Sequence, residues 1–182
     1  MSNKVGKAVR IPFVIGIILV AGWAGGCQKP EPDERDLKNP NTLTNRSFRA
    51  ATFYAQGRYA EAEAEYRALV TTRQRVQGPE HSDTLNTRKN LADTLYVEGK
   101  HAEAEAEYRT LLGLQMRVLG PAHSNVSGTC YTLAHVIADQ GRKPEALVFA
   151  RRAWEGWRNS LGEAHPQTKA AKQLVERLEQ SR

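Results

Sequence analysis

A 42-residue repeat constrains the fold of this chain more than any other feature of its sequence. The stretch Tyr54–Leu69, YAQGRYAEAEAEYRAL, returns as Tyr96–Leu111, YVEGKHAEAEAEYRTL, with eleven of sixteen positions identical. A third, more diverged copy runs from Ala138 to Ala153. A fixed period of this size is typical of stacked arrays, in which each unit packs against its neighbours. The period therefore predicts an elongated repeat array.

Each unit contains two segments with helical spacing of apolar residues. We expect first helices at about 42–56, 84–98 and 126–140, and second helices at about 60–77, 102–119 and 144–160. In the middle unit, one face of the second helix carries Ala104, Tyr108, Leu111, Leu112 and Val118. The alternating EAEAE runs consist of strong helix formers, so they favour helix over strand. Their charges, including the pair Glu105 and Arg109, are expected to form a solvated helix face.

Glycine and proline mark the turns of the predicted array. Gly57, Gly99 and Gly141 are expected between paired helices, where a tight turn needs a permissive backbone. The segments His81-Ser82-Asp83 and His123-Ser124-Asn125 offer N-cap residues for the helices that follow.

Three histidines, His81, His123 and His165, recur in these inter-repeat turns. Equivalent residues of adjacent repeats lie on the order of 10–20 Å apart in a helix stack. A zinc ion needs ligands at about 2 Å, so these histidines cannot share one and are expected to be structural.

A last helix of the first type is predicted at about 167–180, where no second helix follows it. We interpret it as a terminal cap. Trp154 and Trp157 are expected to pack beneath this cap, although a tryptophan at an exposed end could instead anchor a partner. Cys130 is expected to pack inside a helix.

The first 26 residues have the pattern of a signal peptide. Lys4, Lys7 and Arg10 precede a 14-residue apolar run, Ile11–Ala24, which is short for a membrane-spanning helix of about 20 residues. Small residues then lead to Cys27, an arrangement that resembles the lipobox of bacterial lipoprotein signals. The resemblance implies that Cys27 is lipidated and becomes the mature N-terminus. An ordinary secretory signal and an uncleaved anchor also fit the run.

All three interpretations place the remainder of the chain outside the cytoplasm. Residues 27–36 are polar and contain proline, which is typical of a disordered tether. By resemblance to the sorting rule of Gram-negative lipoproteins, Gln28 favours the outer membrane in a host that has one. We therefore expect a lipid-anchored protein of the cell envelope, on the periplasmic side if the host is Gram-negative.

Charge and motifs exclude several classes of function. The formal charge of +6 includes three cations within the first ten residues, and the remaining charges are interspersed, so no basic stripe suggests nucleic-acid binding. The sequence has no P-loop, GxSxG or HExxH motif. We therefore expect no enzymatic activity, no cofactor, no metal and no small-molecule substrate.

The unit from Gly78 to Gly120, GPEHSDTLNTRKNLADTLYVEGKHAEAEAEYRTLLGLQMRVLG, resembles the tetratricopeptide repeat of the kinesin-light-chain type, which is widespread in bacterial proteins. The resemblance covers about residues 37–179. It implies an all-α fold over residues 37–182, a right-handed α-solenoid of antiparallel helix pairs. The units would be about 42–77, 84–119 and 126–161, followed by the capping helix.

The resemblance also implies a concave groove, lined by the first helices, that accepts peptides or partner helices. Asparagine amides there can donate to and accept from a peptide backbone, although solvated helix residues would look the same in sequence. His135, beside Tyr131, is the one histidine with an expected contact role. The implied groove positions are Asn86, Lys89, Asn90 and Asp93 in the middle unit, Thr44, Ser47, Phe48 and Ala51 in the first, and Gly128, Tyr131, Thr132 and His135 in the third.

The sequence thus predicts a membrane-tethered module that binds a protein or peptide partner in its groove. The alternative is a structural or assembly lipoprotein of a larger envelope complex, which would use the convex face or the tryptophan-bearing C-terminal end.

Overall fold

The computed structural model describes residues 40–180, and this part of the chain is entirely helical apart from short turns. Each observed boundary lies within two residues of the predicted one. The helices are α1 Pro40–Ala55, α2 Tyr59–Val76, α3 Ser82–Val97, α4 His101–Leu119, α5 Ser124–Asp139, α6 Lys143–Leu161 and α7 Pro166–Gln180.

The extensive helix contacts are those between helices that are consecutive in the chain, from α1 with α2 through α6 with α7. Each helix therefore buries its apolar stripe against the helices before and after it, as a stacked array requires. The predicted all-α solenoid of helix pairs is confirmed. The proposed signal peptide, the tether and Cys27 lie outside the described residues. Within residues 40–180, no helix is long and apolar enough to cross a bilayer.

Small side chains let the paired helices approach closely. Ala62, Ala104 and Ala146 occupy equivalent positions of the three second helices, and all three are fully buried. Tyr108 is also buried, as predicted, but Val118 is 43% exposed. Helical spacing places Val118 on the core-facing side, yet the neighbouring helices do not cover this last turn of α4.

The turn within each pair depends on a left-handed residue. At Gly99 the backbone has φ 79°, a conformation that side chains with a Cβ rarely adopt, and its N–H donates to the carbonyl of Tyr96 at 3.0 Å. The next N–H, of Lys100, donates to Leu95. These bonds satisfy carbonyls at the end of α3 and allow α4 to fold back after only three residues.

The N-caps of α3, α5 and α7 are histidines and not the serine, aspartate or asparagine that the sequence predicts. The Nδ1 atom of His81 accepts from the N–H of Asp83 at 3.2 Å, and His123 accepts from Asn125 at 3.1 Å. His165 accepts from Gln167 in the same way at 3.2 Å. This geometry uses the lone pair of Nδ1, so the cap is made by the tautomer that carries its proton on Nε2. The predicted structural role of these histidines is confirmed.

The charged run of α4 is not only a solvated face. Glu105 is 8% exposed, and its carboxylate accepts from Gln140 at 2.8 Å and Arg142 at 2.7 Å, both at the turn of the next repeat. Arg109, on its own helix, donates to it at 2.9 Å. Burial raises the pKa of Glu105, but these donors outweigh burial and hold the pKa below its usual value. Sequence periodicity within one helix could not show this second contact surface.

Equivalent ion pairs join the first repeat to the second. Lys100 lies 2.5 Å from Glu63 and 2.7 Å from Glu98, while Arg67 reaches Glu103 at 2.5 Å. We call these contacts and those of Glu105 the inter-repeat ion pairs. In the third repeat, the position equivalent to Glu63 and Glu105 is Leu147, which is 3% exposed.

Trp157 is 4% exposed and packs against α5, the first helix of its own pair. Its Nε1–H donates to the carbonyl of Ser124 at 3.2 Å, and its ring lies 5.3 Å from that of Tyr131. Trp154 is half-buried and borders α7, as predicted for a residue beneath the cap. Cys130 is buried in α5, which confirms its predicted packing, and burial raises the pKa of its thiol to about 11.

Candidate functional site

The predicted groove residues lie on the three first helices α1, α3 and α5. None of the twelve predicted groove positions is buried. The exposed ones are Thr44, Phe48, Ala51, Asn86, Lys89 and Asn90, and the half-buried ones are Ser47, Asp93, Gly128, Tyr131, Thr132 and His135. We call this surface the groove face.

At the centre of the groove face, Asp93 accepts hydrogen bonds from two directions. Its Oδ1 atom accepts from the Tyr108 hydroxyl on α4, and its Oδ2 atom lies 2.6 Å from Lys89 Nζ. Burial and the charge of Asp93 both raise the pKa of Tyr108, which therefore stays a neutral donor. Asp93 is thus held in place and its charge is offset by Lys89.

The two central asparagines, Asn86 and Asn90, differ in the hydrogen bonds that their side chains make within the protein. The side chain of Asn90 hydrogen-bonds the hydroxyl of Tyr66, whose pKa is raised mainly by burial. Asn86 is exposed, and its amide makes no hydrogen bond with the described residues. Asn86 therefore keeps its full donor and acceptor capacity for a ligand, whereas Asn90 shares it with the core.

The N-terminal part of the groove face is less polar. Phe48 occupies the position equivalent to Asn90 and is 76% exposed, the largest exposure of any large hydrophobic residue in residues 40–180. The Ser47 hydroxyl donates to the Leu43 carbonyl of its own helix at 2.9 Å. This end can contact apolar groups but has no amide side chain at the groove positions.

At the C-terminal end, α5 and α7 enclose a pocket of about 180 Å³. Tyr131 and His135 form one wall, with ring centroids 4.8 Å apart. Burial lowers the pKa of His135, and the charge of Arg177 lowers it further, whereas Asp139 opposes both. The complete lining is Tyr131, His135, Ala170, Gln173, Leu174 and Arg177.

Sequence reasoning assigned α7 only a capping role and missed its part in this surface. The signal was nevertheless present, because adding one 42-residue period to Gly128, Tyr131, Thr132 and His135 gives Ala170, Gln173, Leu174 and Arg177. The capping helix is thus also the fourth first-type helix of the groove face.

A further tyrosine links the first helices to each other. The Tyr96 hydroxyl on α3 donates to Asp139 Oδ2 on α5 at 2.5 Å. Burial and this hydrogen bond raise the pKa of Tyr96 to about 12. Within the described part of the chain, no cluster of three or more His, Cys, Asp or Glu side chains could hold a metal ion. The chemistry of the groove face is that of hydrogen bonding, aromatic contact and charge.

Comparison with known proteins agrees with this architecture. Two tetratricopeptide-repeat sequence patterns match the chain, one over residues 41–117 and the other over residues 127–167. Together they cover more than half of its length. No curated protein sequence is a significant match.

Solved structures with the same fold include a kinesin-light-chain-type protein of Podosopora anserina with nearly identical TPR-like repeats. It has 21% identity and a TM-score of 0.70, over 79% of this chain and 68% of that one. BtubC (BKLC) of P. vanneervenii has 20% identity and a TM-score of 0.65, over 78% and 64%. The type III secretion translocator chaperone SycD of Yersinia enterocolitica has 15% identity and a TM-score of 0.62, over 79% and 87%.

At these identities the structural matches establish the fold alone. They agree with the 42-residue period, the helix pairs and the two sequence-pattern matches. The chain therefore belongs to the tetratricopeptide-repeat family.

Proposed function

We propose that this protein is a non-catalytic interaction module that binds a segment of a protein partner, a peptide or a helix, along its groove face. The observation that carries the proposal is the unengaged amide of Asn86 at the centre of a surface to which α1, α3, α5 and α7 all contribute. SycD, which shares the fold, is a chaperone of a secretion translocator.

The chemistry of the groove face suits a peptide. An amide side chain can donate to a peptide carbonyl and accept from a peptide N–H at once. Tyr131 and Phe48 offer apolar contact on either side of Asn86. Rings and amides spaced along a surface fit a linear segment better than a compact small molecule, which needs an enclosed and mostly apolar cavity.

We further propose that the module is held at the membrane of the cell envelope by a lipid on Cys27. The support is the charged, apolar and small-residue order of the first 27 residues. Intact mass spectrometry of the protein purified from membranes tests this. A chain that starts at Cys27 and carries acyl mass is expected, and an unmodified chain that retains Met1 would contradict it.

Site-specific photocrosslinking tests the groove. A photoreactive residue at Asn86 is expected to crosslink a defined partner in the native envelope, whereas one at Val148, exposed on α6, is not. The crosslinked partner segment is then synthesised and its affinity measured. Asn86→Ala should weaken binding about 3- to 10-fold, the typical loss for one hydrogen bond.

Asn159→Ala, on the exposed surface of α6, is the matched control and should bind as the wild type does. Binding that survives both Asn86→Ala and the double change with Asn90→Ala would contradict the groove proposal.

The alternative is an assembly role for the C-terminal end. Val148 is 65% exposed, and a pocket of about 360 Å³ lies between Trp154 and α7. Most of the residues that line this pocket are charged, and Arg151 and Glu179 pair across it at 2.6 Å. This surface is therefore a weaker candidate for binding a partner than the groove face. Crosslinks from Val148 without crosslinks from Asn86 would favour the assembly role.

A further inference from the structure

The sulfur atom of Met116 lies against a cation from the next repeat. Its Sδ atom, on α4, accepts from Arg152 Nη2 on α6 at 3.0 Å. Because α4 belongs to the second repeat and α6 to the third, this contact crosses the junction between them. A thioether is only a weak hydrogen-bond acceptor, so it is a poor partner for a guanidinium group.

Arg152 differs from the arginines of the inter-repeat ion pairs. Arg109 and Arg142 both donate to the carboxylate of Glu105. Arg152 pairs with no carboxylate within residues 40–180, and the acceptor of its hydrogen bond there is the Met116 sulfur. The side chain of Arg152 is nevertheless half-buried, so water reaches only part of it. The junction therefore contains a cation that lacks a strong acceptor.

Met116 is the more accessible of the two sulfur-containing residues between positions 40 and 180. The other one, Cys130, is fully buried, and burial raises the pKa of its thiol to about 11, so it stays in the unreactive thiol form. Met116 is half-buried, and a thioether needs no ionisation to react. An oxidant that arrives from solvent therefore meets Met116 first.

We propose that Met116 is a site of oxidation to methionine sulfoxide by hydrogen peroxide, and that Arg152 binds the sulfoxide oxygen. A lone pair of the sulfur attacks one peroxide oxygen and the O–O bond breaks. The second oxygen takes the proton of the first and leaves as water. Sulfur is oxidised by two electrons, the peroxide is reduced, and the product carries an S=O group in place of the thioether.

The sulfoxide gives Arg152 the acceptor that the thioether does not provide. Its oxygen is strongly polar, and a hydrogen bond to it from a guanidinium is assisted by charge. The unbranched methionine side chain has three rotatable bonds, so it can turn this oxygen towards Arg152 without a shift of the backbone. Oxidation of a packed methionine usually disrupts its surroundings. Here the new hydrogen bond between α4 and α6 opposes that disruption.

Peptide mass spectrometry of the full chain after peroxide treatment tests the site. The added oxygen is expected on Met116, with Cys130 unmodified. Oxygen on Cys130 while Met116 stays intact would overturn the assignment. Met116→Leu removes the sulfur, and its urea denaturation should not change after the same treatment. A change in this variant would show that peroxide acts on the array elsewhere.

Urea denaturation before and after oxidation tests the role of Arg152. The wild type, Arg152→Ala and Arg158→Ala are each compared with their own oxidised form, so the direct cost of each substitution cancels. Arg158 is the matched control, because it is an arginine on the same helix that lies over the Trp154 ring at 5.3 Å. Oxidation should raise the unfolding equilibrium constant of Arg152→Ala about 10-fold more than that of the other two proteins, which is the lower end of the range for hydrogen bonds to charged groups. An equal rise in all three would overturn the binding of the sulfoxide by Arg152.

NMR of the unsubstituted protein, labelled with ¹⁵N-arginine, keeps the proposal testable if Arg152→Ala does not fold. Hydrogen exchange of the Arg152 guanidinium should slow several-fold on oxidation, since the sulfoxide oxygen holds its N–H groups more firmly than the thioether does. Reduction by methionine sulfoxide reductases should restore the faster exchange. Exchange that is unchanged or faster in the oxidised protein would contradict the proposal, and Arg158 serves as the internal control.

Discussion

The junctions between successive repeats and the junction between the third repeat and α7 have different side chains at one equivalent position, a glutamate in the former and a leucine in the latter. Between the first and second repeats, and again between the second and third, Glu63 and Glu105 connect helices through cations from both sides. In the third repeat Leu147 replaces the glutamate, and Trp157 fills the position of Arg73 and Gln115. The comparison shows that the same helix packing accepts either charged or apolar side chains at equivalent positions.

The largest expected effect is that of Trp157→Ala, at the contact between α6 and α5 within the third repeat. Removal of this side chain, 4% exposed, leaves a cavity and should lower the free energy of unfolding by about 3–5 kcal/mol. Urea denaturation followed by circular dichroism measures the loss. Trp154→Ala, at a half-buried residue, is the control, and an equal loss for both would show that the packing of the third repeat does not depend on the burial of Trp157.

The next prediction replaces Glu105, at the junction between the second and third repeats, with the leucine that the third repeat has at the equivalent position, Leu147. Glu105→Leu should lower the free energy of unfolding by about 1–3 kcal/mol, because Arg109, Arg142 and Gln140 lose their shared acceptor. The measurement is again urea denaturation, with Glu155→Leu on the exposed surface of α6 as control. Buried ion pairs are sometimes replaced by apolar residues without loss, and such a result here would contradict the role we assign to the inter-repeat ion pairs.

A smaller effect is expected from titration of the first junction. Burial raises the pKa of Glu63, but Lys100 and Arg67 outweigh it and lower the pKa from 4.5 to about 2. Because the folded-state pKa is the lower one, the stabilisation is present above the unfolded value and is lost as pH falls from about 4.5 towards 2. Urea denaturation at a series of pH values should show this loss in the wild type and a smaller one in Glu63→Gln. If the free energy of unfolding fell equally with pH in the two proteins, the stabilising role of the Glu63 carboxylate would be contradicted.

The smallest effects concern the histidine caps, which can be compared between an inner and a terminal helix. His81→Ala should cost about 1 kcal/mol, and His81→Asp should restore most of it, because a carboxylate also accepts from the helix N–H groups. His165→Ala should cost less, since among the described helices α7 packs extensively only against α6, whereas α3 packs against both α2 and α4. Global denaturation and amide hydrogen exchange in α3 and α7 distinguish the two. Equal exchange in both helices would remove this distinction.

The helices themselves could be predicted from the sequence because their signals are local. Glycines at the turns and the 3.6-residue apolar spacing placed every boundary within two residues. The burial of Cys130 followed from the same spacing.

Features that depend on the neighbouring repeat were harder to predict. Glu105 looks like a solvated residue within its own helix, and only the turn of the next repeat shows otherwise. The histidine caps were missed because histidine is not among the usual N-cap residues. The contact between the Tyr66 hydroxyl and the Asn90 side chain joins residues that are 24 apart in the sequence, and it has no sequence signature.

The inter-repeat ion pairs also bear on how this protein can change in length. The middle repeat carries both halves of the junction: Lys100 and Glu103 face backward to the first repeat, and Glu105 and Arg109 face forward to the third. A tandem duplicate of residues 79–120 would therefore meet a copy of itself with every charge matched, and its first helix would add another asparagine pair to the groove face. The third repeat has Leu147 in place of the glutamate, although Arg151 still pairs with Glu179 of α7 at 2.6 Å. The array is thus extensible at its middle repeat, so the length of the groove face can evolve by duplication without redesign of the packing.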